Sequence, residues 1–201
     1  MARVNIIKPG RVAEPFTARS LAWGAVLVAL GILLPVLLHP FGLGLVLLPM
    51  NFVALLAGCV AGAWTGAAVG VVTPLLSALV TGMPPLAPFP VAQLMAVELG
   101  LYGMATGLLY SRLKAGVVPA VVGGNLAGRL AYGLVGFYLL PLIGLERVPL
   151  LFPLTGAVVT GLPGLAVQVV LIPALVVAIE RHVGTGLRPR GSHPRWLWGR
   201  R

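Results

Sequence analysis

The 201-residue chain is 59% apolar and only 9% charged, with a mean hydropathy of +1.03. A charged share near a third of the ~25% usual in soluble domains excludes a water-soluble globular protein. Basic residues outnumber acidic ones 14 to 4, but no hydrophilic domain carries a nucleic-acid surface, so the chain reads as one integral membrane domain.

The stretch from Ser20 through Val97 holds no formal charge, His39 aside, which is enough for three passes at about 20 apolar residues each. A first helix is predicted over Leu21–Leu38, stopped by His39-Pro40-Phe41-Gly42. A second follows over Leu45–Val60 and a third over Ala63–Val80, joined by a tight turn from Gly62 to Gly66 around Trp64. Thr81 to Pro90 carries four prolines in seven residues, which remove donors and disfavour helix before each one. A fourth helix is expected over Val91–Tyr110, a fifth over Val117–Leu140 and a sixth over Phe152–Ile179, with Pro153 tolerated in its first turn.

The expected fold is therefore an all-α bundle of six transmembrane helices over residues 1–182, followed by a basic tail over 183–201. Twelve of the 14 basic residues fall before the first helix, between the fourth and fifth, or after the sixth. Six passes put these groups on one side, so the positive-inside rule predicts both termini cytoplasmic. The basic start followed by an apolar run also resembles a secretory signal, but the run is too long and no Ala-x-Ala site closely follows it; it reads as a retained helix.

Polar residues inside the spans are costly in lipid and tend to face the bundle interior. Asn51, Glu98 and Arg129 fall in one layer of the outer half of the membrane, by the helical rise of about 1.5 Å per residue. Tyr102 lies one turn below Glu98, and Asn125 and Tyr132 share a face with Arg129. A Glu98–Arg129 pair that only neutralises two buried charges and a pair that also binds ligand are both consistent with this pattern, since a paired guanidinium still offers donors to a carboxylate. Gln168 reads as structural. Met83, Pro85, Leu86 and Phe89 make the proline-rich loop too apolar for a solvated turn and suit a lid over an outward-facing cavity.

Two sets of small residues stand out. Gly58, Gly62, Gly66 and Gly70 recur every fourth residue and suit close packing between helices of the same chain. Ala18, Ala22, Ala25 and Ala29 form one stripe on the first helix and its approach, suited to a sibling helix or to another subunit. No catalytic set emerges. The chain has no Asp, one Cys (Cys59) and three histidines, and lacks a zinc motif, a Walker loop and a nucleophile elbow; no cofactor or metal is implied.

The run Trp64-Thr65-Gly66-Ala67-Ala68-Val69-Gly70, Pro74-Leu75-Leu76-Ser77, Gly82-Met83-Pro84-Pro85 and Glu98-Leu99 with Tyr102-Gly103 resembles the substrate-binding S components of energy-coupling factor (ECF) vitamin transporters. The resemblance spans about residues 15 to 182 in length, helices and loop placement. It implies a six-helix bundle that binds a vitamin or similar small organic molecule near the outer face of a prokaryotic cell membrane. The ligand would sit under the loops at His39–Gly44, Thr81–Pro90 and Pro141–Pro149. On this resemblance Asn51, Met83, Pro85, Glu98, Tyr102, Asn125 and Arg129 are the candidate ligand contacts. The family's Ala-x-x-x-Ala contacts correspond to Ala18/Ala22 and Ala25/Ala29, which would meet a transmembrane coupling subunit served by two ATPase subunits. No N-terminal metal-binding histidine of the cobalt and nickel branch is present, and Arg129 points to a carboxylate-bearing ligand such as pantothenate, nicotinate or folate. The alternative is a small self-sufficient secondary transporter, although no internal repeat supports one.

Overall fold

The computed structural model describes residues 16–42, 47–151 and 162–182, all of whose regular structure is helical. The helix α1 spans Ala18–Leu38 and starts three residues before the expected Leu21. A capping box explains the early start: Ser20 N donates to Thr17 Oγ1 at 3.1 Å and Thr17 N donates to Ser20 Oγ at 2.9 Å. The helix passes through a short 3-10 turn, His39–Phe41, closed by Gly42 at φ +69°, where a side chain would be strained.

The helix α2 spans Pro49–Ala61, within the Leu45–Val60 expected but for its last residue; the expected start at Leu45 and Val46 lies outside the described residues. Leu48 is left-handed at φ 48°, and Pro49 supplies the fixed φ and missing donor suited to a first helical position. Only Gly62, at φ +92°, separates α2 from α3, Ala63–Thr81. The predicted five-residue turn around Trp64 is thus wrong: one glycine reverses the chain, and Trp64 lies within α3, 54% exposed. The helices α4, Val91–Ser111, and α5, Val117–Tyr138, follow the sequence reading closely. A 3-10 turn, Leu140–Ile143, takes the place of the expected end of α5. The helix α6 spans Leu162–His182, three residues beyond the expected Ile179; the expected start at Phe152, with Pro153, lies outside the described residues.

Five of these helices are long and apolar enough to cross a membrane. The exception is α2, whose 13 residues reach about 20 Å against a hydrocarbon core of about 30 Å. Its burial accounts for this. Eleven of its residues, Pro49–Val60 apart from Phe52, are buried, so protein rather than lipid surrounds it and membrane thickness does not set its length.

Glycine seams bring α2, α3 and α4 into backbone contact. A Cβ on Gly103 of α4 would overlap the Gly66 carbonyl of α3, and one on Gly70 would overlap the Leu99 carbonyl. A Cβ on Gly58 of α2 would run into Gly103 O and lie 2.9 Å from Gly107 N. Three of the four periodic glycines therefore pack within the chain, and Gly62 makes the turn. The apolar core forms around this seam, with Leu55, Leu99 and Tyr102 fully enclosed. The helix α1 presents Gly24, Leu27, Gly31 and Pro35 to α2 and α3.

Candidate functional site

The short α2 leaves space at one end of the bundle. A cavity of about 700 Å³ opens there between the end of α1, the start of α2, the end of α3, the proline-rich loop and the start of α4. Its wall is mostly apolar: Pro35, Pro40 and Pro49, the methionines Met50, Met83 and Met95, and Pro84 and Pro85 of the loop. The loop is anchored by hydroxyls on the last turns of α3. Ser77 Oγ donates to Met83 O at 2.7 Å, and Thr81 Oγ1 both donates to that oxygen at 3.2 Å and accepts from Met83 N at 3.3 Å. Ala92 N also donates to Pro85 O at 3.1 Å, which ties the loop to α4. Leu86 and Phe89, expected to cover the cavity, are not among its described lining residues.

Two polar side chains on the wall differ from those hydroxyls. Asn51, in the first turn of α2, is 6% exposed, and its carboxamide makes no hydrogen bond to the described residues. His39 Nδ1 lies 3.1 Å from Pro35 O. A carbonyl only accepts, so Nδ1 is the donor in that contact.

The candidate contacts divide into two places. Asn51, Met83 and Pro85 line the cavity; Glu98, Tyr102, Asn125 and Arg129 are not among its described lining residues. Glu98 lies one turn beyond the lining residue Met95 and is buried, accepting a 2.5 Å hydrogen bond from the Tyr102 hydroxyl. Arg129 and Tyr132 of α5 lie within electrostatic range of Glu98. This cluster sits where α4 meets α5: a Cβ on Gly128 would run into the Tyr102 ring. Asn125 instead points across to α6, donating to Gln168 Oε1 at 3.2 Å and to Val121 O at 3.1 Å. At the other end of the bundle the Tyr110 hydroxyl donates to Glu180 Oε1 at 2.9 Å, which ties α4 to α6.

Sequence reasoning did not single out most of the cavity wall, including Pro35, Met50 and Met95, and it reached His39 only as the start of a loop expected over the ligand. The Pro35 carbonyl accepts the His39 backbone N–H that ends α1 and also lies against the imidazole, a helix-end contact that no local pattern in the sequence marks. Met95 lies one turn before Glu98 and was overshadowed by that charge.

All four alanines of the predicted stripe, Ala18, Ala22, Ala25 and Ala29, are exposed on the side of α1 away from the bundle. Among the described residues no group of His, Cys, Asp or Glu is placed to hold a metal ion.

Comparison with curated proteins and with solved structures gives no match. A family model described as "ECF transporter, substrate-specific component" does match, over residues 19–176. That range takes in the cavity, the glycine seam and most of the alanine stripe. An all-helical bundle with apolar spans and a ligand-sized cavity agrees with a substrate-binding transporter subunit, and the chain belongs to the substrate-specific components of ECF transporters.

Proposed function

We propose that this chain captures a vitamin or related small organic molecule at the outer face of a prokaryotic plasma membrane and delivers it inward as part of an ATP-driven importer. The observation that carries the reading is the cavity beneath the anchored proline-rich loop, in a chain of this family. The cavity lies at the end of the bundle opposite Arg112 and Lys114. The basic residues around those two and near the termini favour the cytoplasm, which turns the cavity outward with both termini inside. In this reading all six helices cross or nearly cross the bilayer, α2 as a short span enclosed by its neighbours, and 183–201 is a basic cytoplasmic tail.

Asn51, Met83 and Pro85 contact the bound molecule. Glu98, Tyr102, Asn125 and Arg129 hold α4, α5 and α6 beneath it. The exposed alanines Ala18, Ala22, Ala25 and Ala29 meet the transmembrane coupling subunit, because small side chains let another helix approach closely. Two ATPase subunits bound to that partner supply the energy.

Cysteine labelling tests the orientation. In a Cys59→Ser background, cysteines at Gly42, Ala87 and Gly144 should react with an impermeant thiol reagent added outside intact cells. Cysteines at Ala2, Ser111 and Ser192 should stay protected. Labelling at Ser111 from outside overturns the arrangement. Uptake that persists in cells lacking the coupling and ATPase subunits returns the chain to the self-sufficient transporter class.

A further inference from the structure

We infer that the cavity selects an uncharged, flat heteroaromatic molecule with an amide- or imide-type edge, which pairs with the Asn51 carboxamide. The inference rests on the cavity being the binding site, as proposed above, and adds the chemistry of what fills it. Three features of the wall lead there.

The first is charge. No Lys, Arg, Asp or Glu is among the described lining residues, and the nearest pair on α4 and α5, Glu98 and Arg129, already attract each other. A carboxylate or a quaternary ammonium would lie against a mostly apolar wall with no Lys, Arg, Asp or Glu side chain among the described lining residues to pair with, which is unfavourable. The Arg129 reading of a carboxylate ligand loses its support here, since the guanidinium is not on the wall.

The second is polarisability and shape. Met50, Met83 and Met95 bring three thioethers to one small space, and sulfur makes favourable contacts with aromatic rings. The prolines opposite offer flat, rigid apolar surfaces that cost little entropy to pack against.

The third is the unpartnered amide. Asn51 is more than nine-tenths buried, lines the cavity and makes no hydrogen bond to the described residues, whereas Ser77 and Thr81 on the same wall are engaged by the loop backbone. The residue is enclosed but its carboxamide faces the cavity, where it is open to pairing with what fills it. A carboxamide presents one acceptor and two donors side by side, complementary to a ring N–H next to a C=O. His39, exposed at the rim of the same wall, adds a second polar ring.

The test uses matched probes on the full-length protein in detergent, by thermal shift and equilibrium binding. Nicotinamide is paired with nicotinate and indole-3-acetamide with indole-3-acetate; lumichrome serves as a larger uncharged imide. Uncharged members should bind and raise Tm, and each acid should bind at least tenfold more weakly than its amide. Asn51→Leu should weaken the amides at least tenfold while the unliganded protein keeps its thermal stability, since no hydrogen bond to the described residues is lost. Met95→Trp, which fills the cavity, should abolish all binding. Acids that bind as well as or better than amides, amide binding that survives Asn51→Leu, or no binding by any uncharged probe overturns the inference. Acid binding that Met95→Trp abolishes would overturn the ligand chemistry but keep the site. Binding that Met95→Trp leaves intact would instead show that the cavity is not the site.

Discussion

The helices α4 and α1 both use small residues, in opposite ways. On α4, Gly103 and Gly107 are pressed against the backbones of α2 and α3, where no atom can give way. On α1, the inward Gly24 and Gly31 meet only side chains, those of Thr65, Val69, Thr73 and Val53, and the outward alanines are exposed. The seam between α2, α3 and α4 is therefore the rigid frame of the molecule, and α1 is a helix laid on it with a bare face turned outward. The cavity lies where the two join: α2, α3 and α4 supply its fixed wall and α1 supplies Pro35 and His39. One motif class, small residues at helical spacing, thus means internal packing in one place and a free surface in another. Exposure, not spacing, tells them apart.

A paired substitution tests this difference most strongly. Gly103→Ala puts a methyl into the Gly66 carbonyl, and should cost about 3 kcal/mol or more, the upper range for overpacking against an obstacle that cannot rotate away. Gly24→Ala brings its methyl to 3.1 Å from the Thr65 Cγ2, a contact a small side-chain shift relieves. It also gains helix propensity of about 1 kcal/mol, so its net effect should stay within about 1 kcal/mol of zero. Thermal unfolding of both variants in the same detergent measures the contrast. Equal losses would mean that α1 is packed as tightly as the seam.

On its other side α4 is held by polar groups as well as by the glycines of α5, with Glu98, Tyr102 and Arg129 toward α5 and Tyr110 with Glu180 toward α6. Glu98→Gln and Arg129→Gln, each alone, should lower stability by about 1–3 kcal/mol, the cost of disturbing a buried charged hydrogen-bonding group. The double variant should recover more than half of the summed loss, because the charge left uncompensated by either single change is gone. Nicotinamide binding should follow stability and not charge, as neither residue lines the cavity. Strictly additive losses would separate the two residues. A selective loss of affinity in the double variant would bring them back into the site.

Much of this arrangement was legible in the sequence, and the failures have physical causes. Charge-free runs and proline clusters placed the helices because both act locally. Hydrophobicity could not mark the start of α2: Leu45 to Leu48 are as apolar as the helix itself, and the signal was Pro49 at a first-turn position. The reversal at Gly62 was spread over five residues because several glycines stood nearby, while the fold needs positive φ only at one. Of the site, Asn51, Met83 and Pro85 were found as a polar residue in a span and an apolar loop. Glu98 and Arg129 attracted attention because buried charge is rare, but rarity marks a constraint without saying whether ligand or fold imposes it. The three-dimensional register adds what the sequence does not carry: Met95 is on the cavity wall and Glu98 lies one turn beyond it.

The smallest expected effect on stability belongs to the alanine face, and it carries the sharpest functional contrast. Ala22→Trp or Ala25→Trp adds a large apolar side chain to a face of α1 that is exposed in the isolated chain, so no packed neighbour is displaced. The folded protein should keep its unfolding temperature within a few degrees, and the cavity, a turn or more away along α1 at Pro35 and His39, should bind nicotinamide unchanged. Close approach of a second helix needs small residues at this spacing, and an indole there holds the helices apart. Uptake in cells that supply the coupling and ATPase subunits should therefore fall at least tenfold while binding to the purified protein persists. Intact uptake in both variants would make the alanines ordinary lipid-facing surface. Loss of the fold would mean that this face is packed after all, and the contrast between α1 and the glycine seam would fail with it.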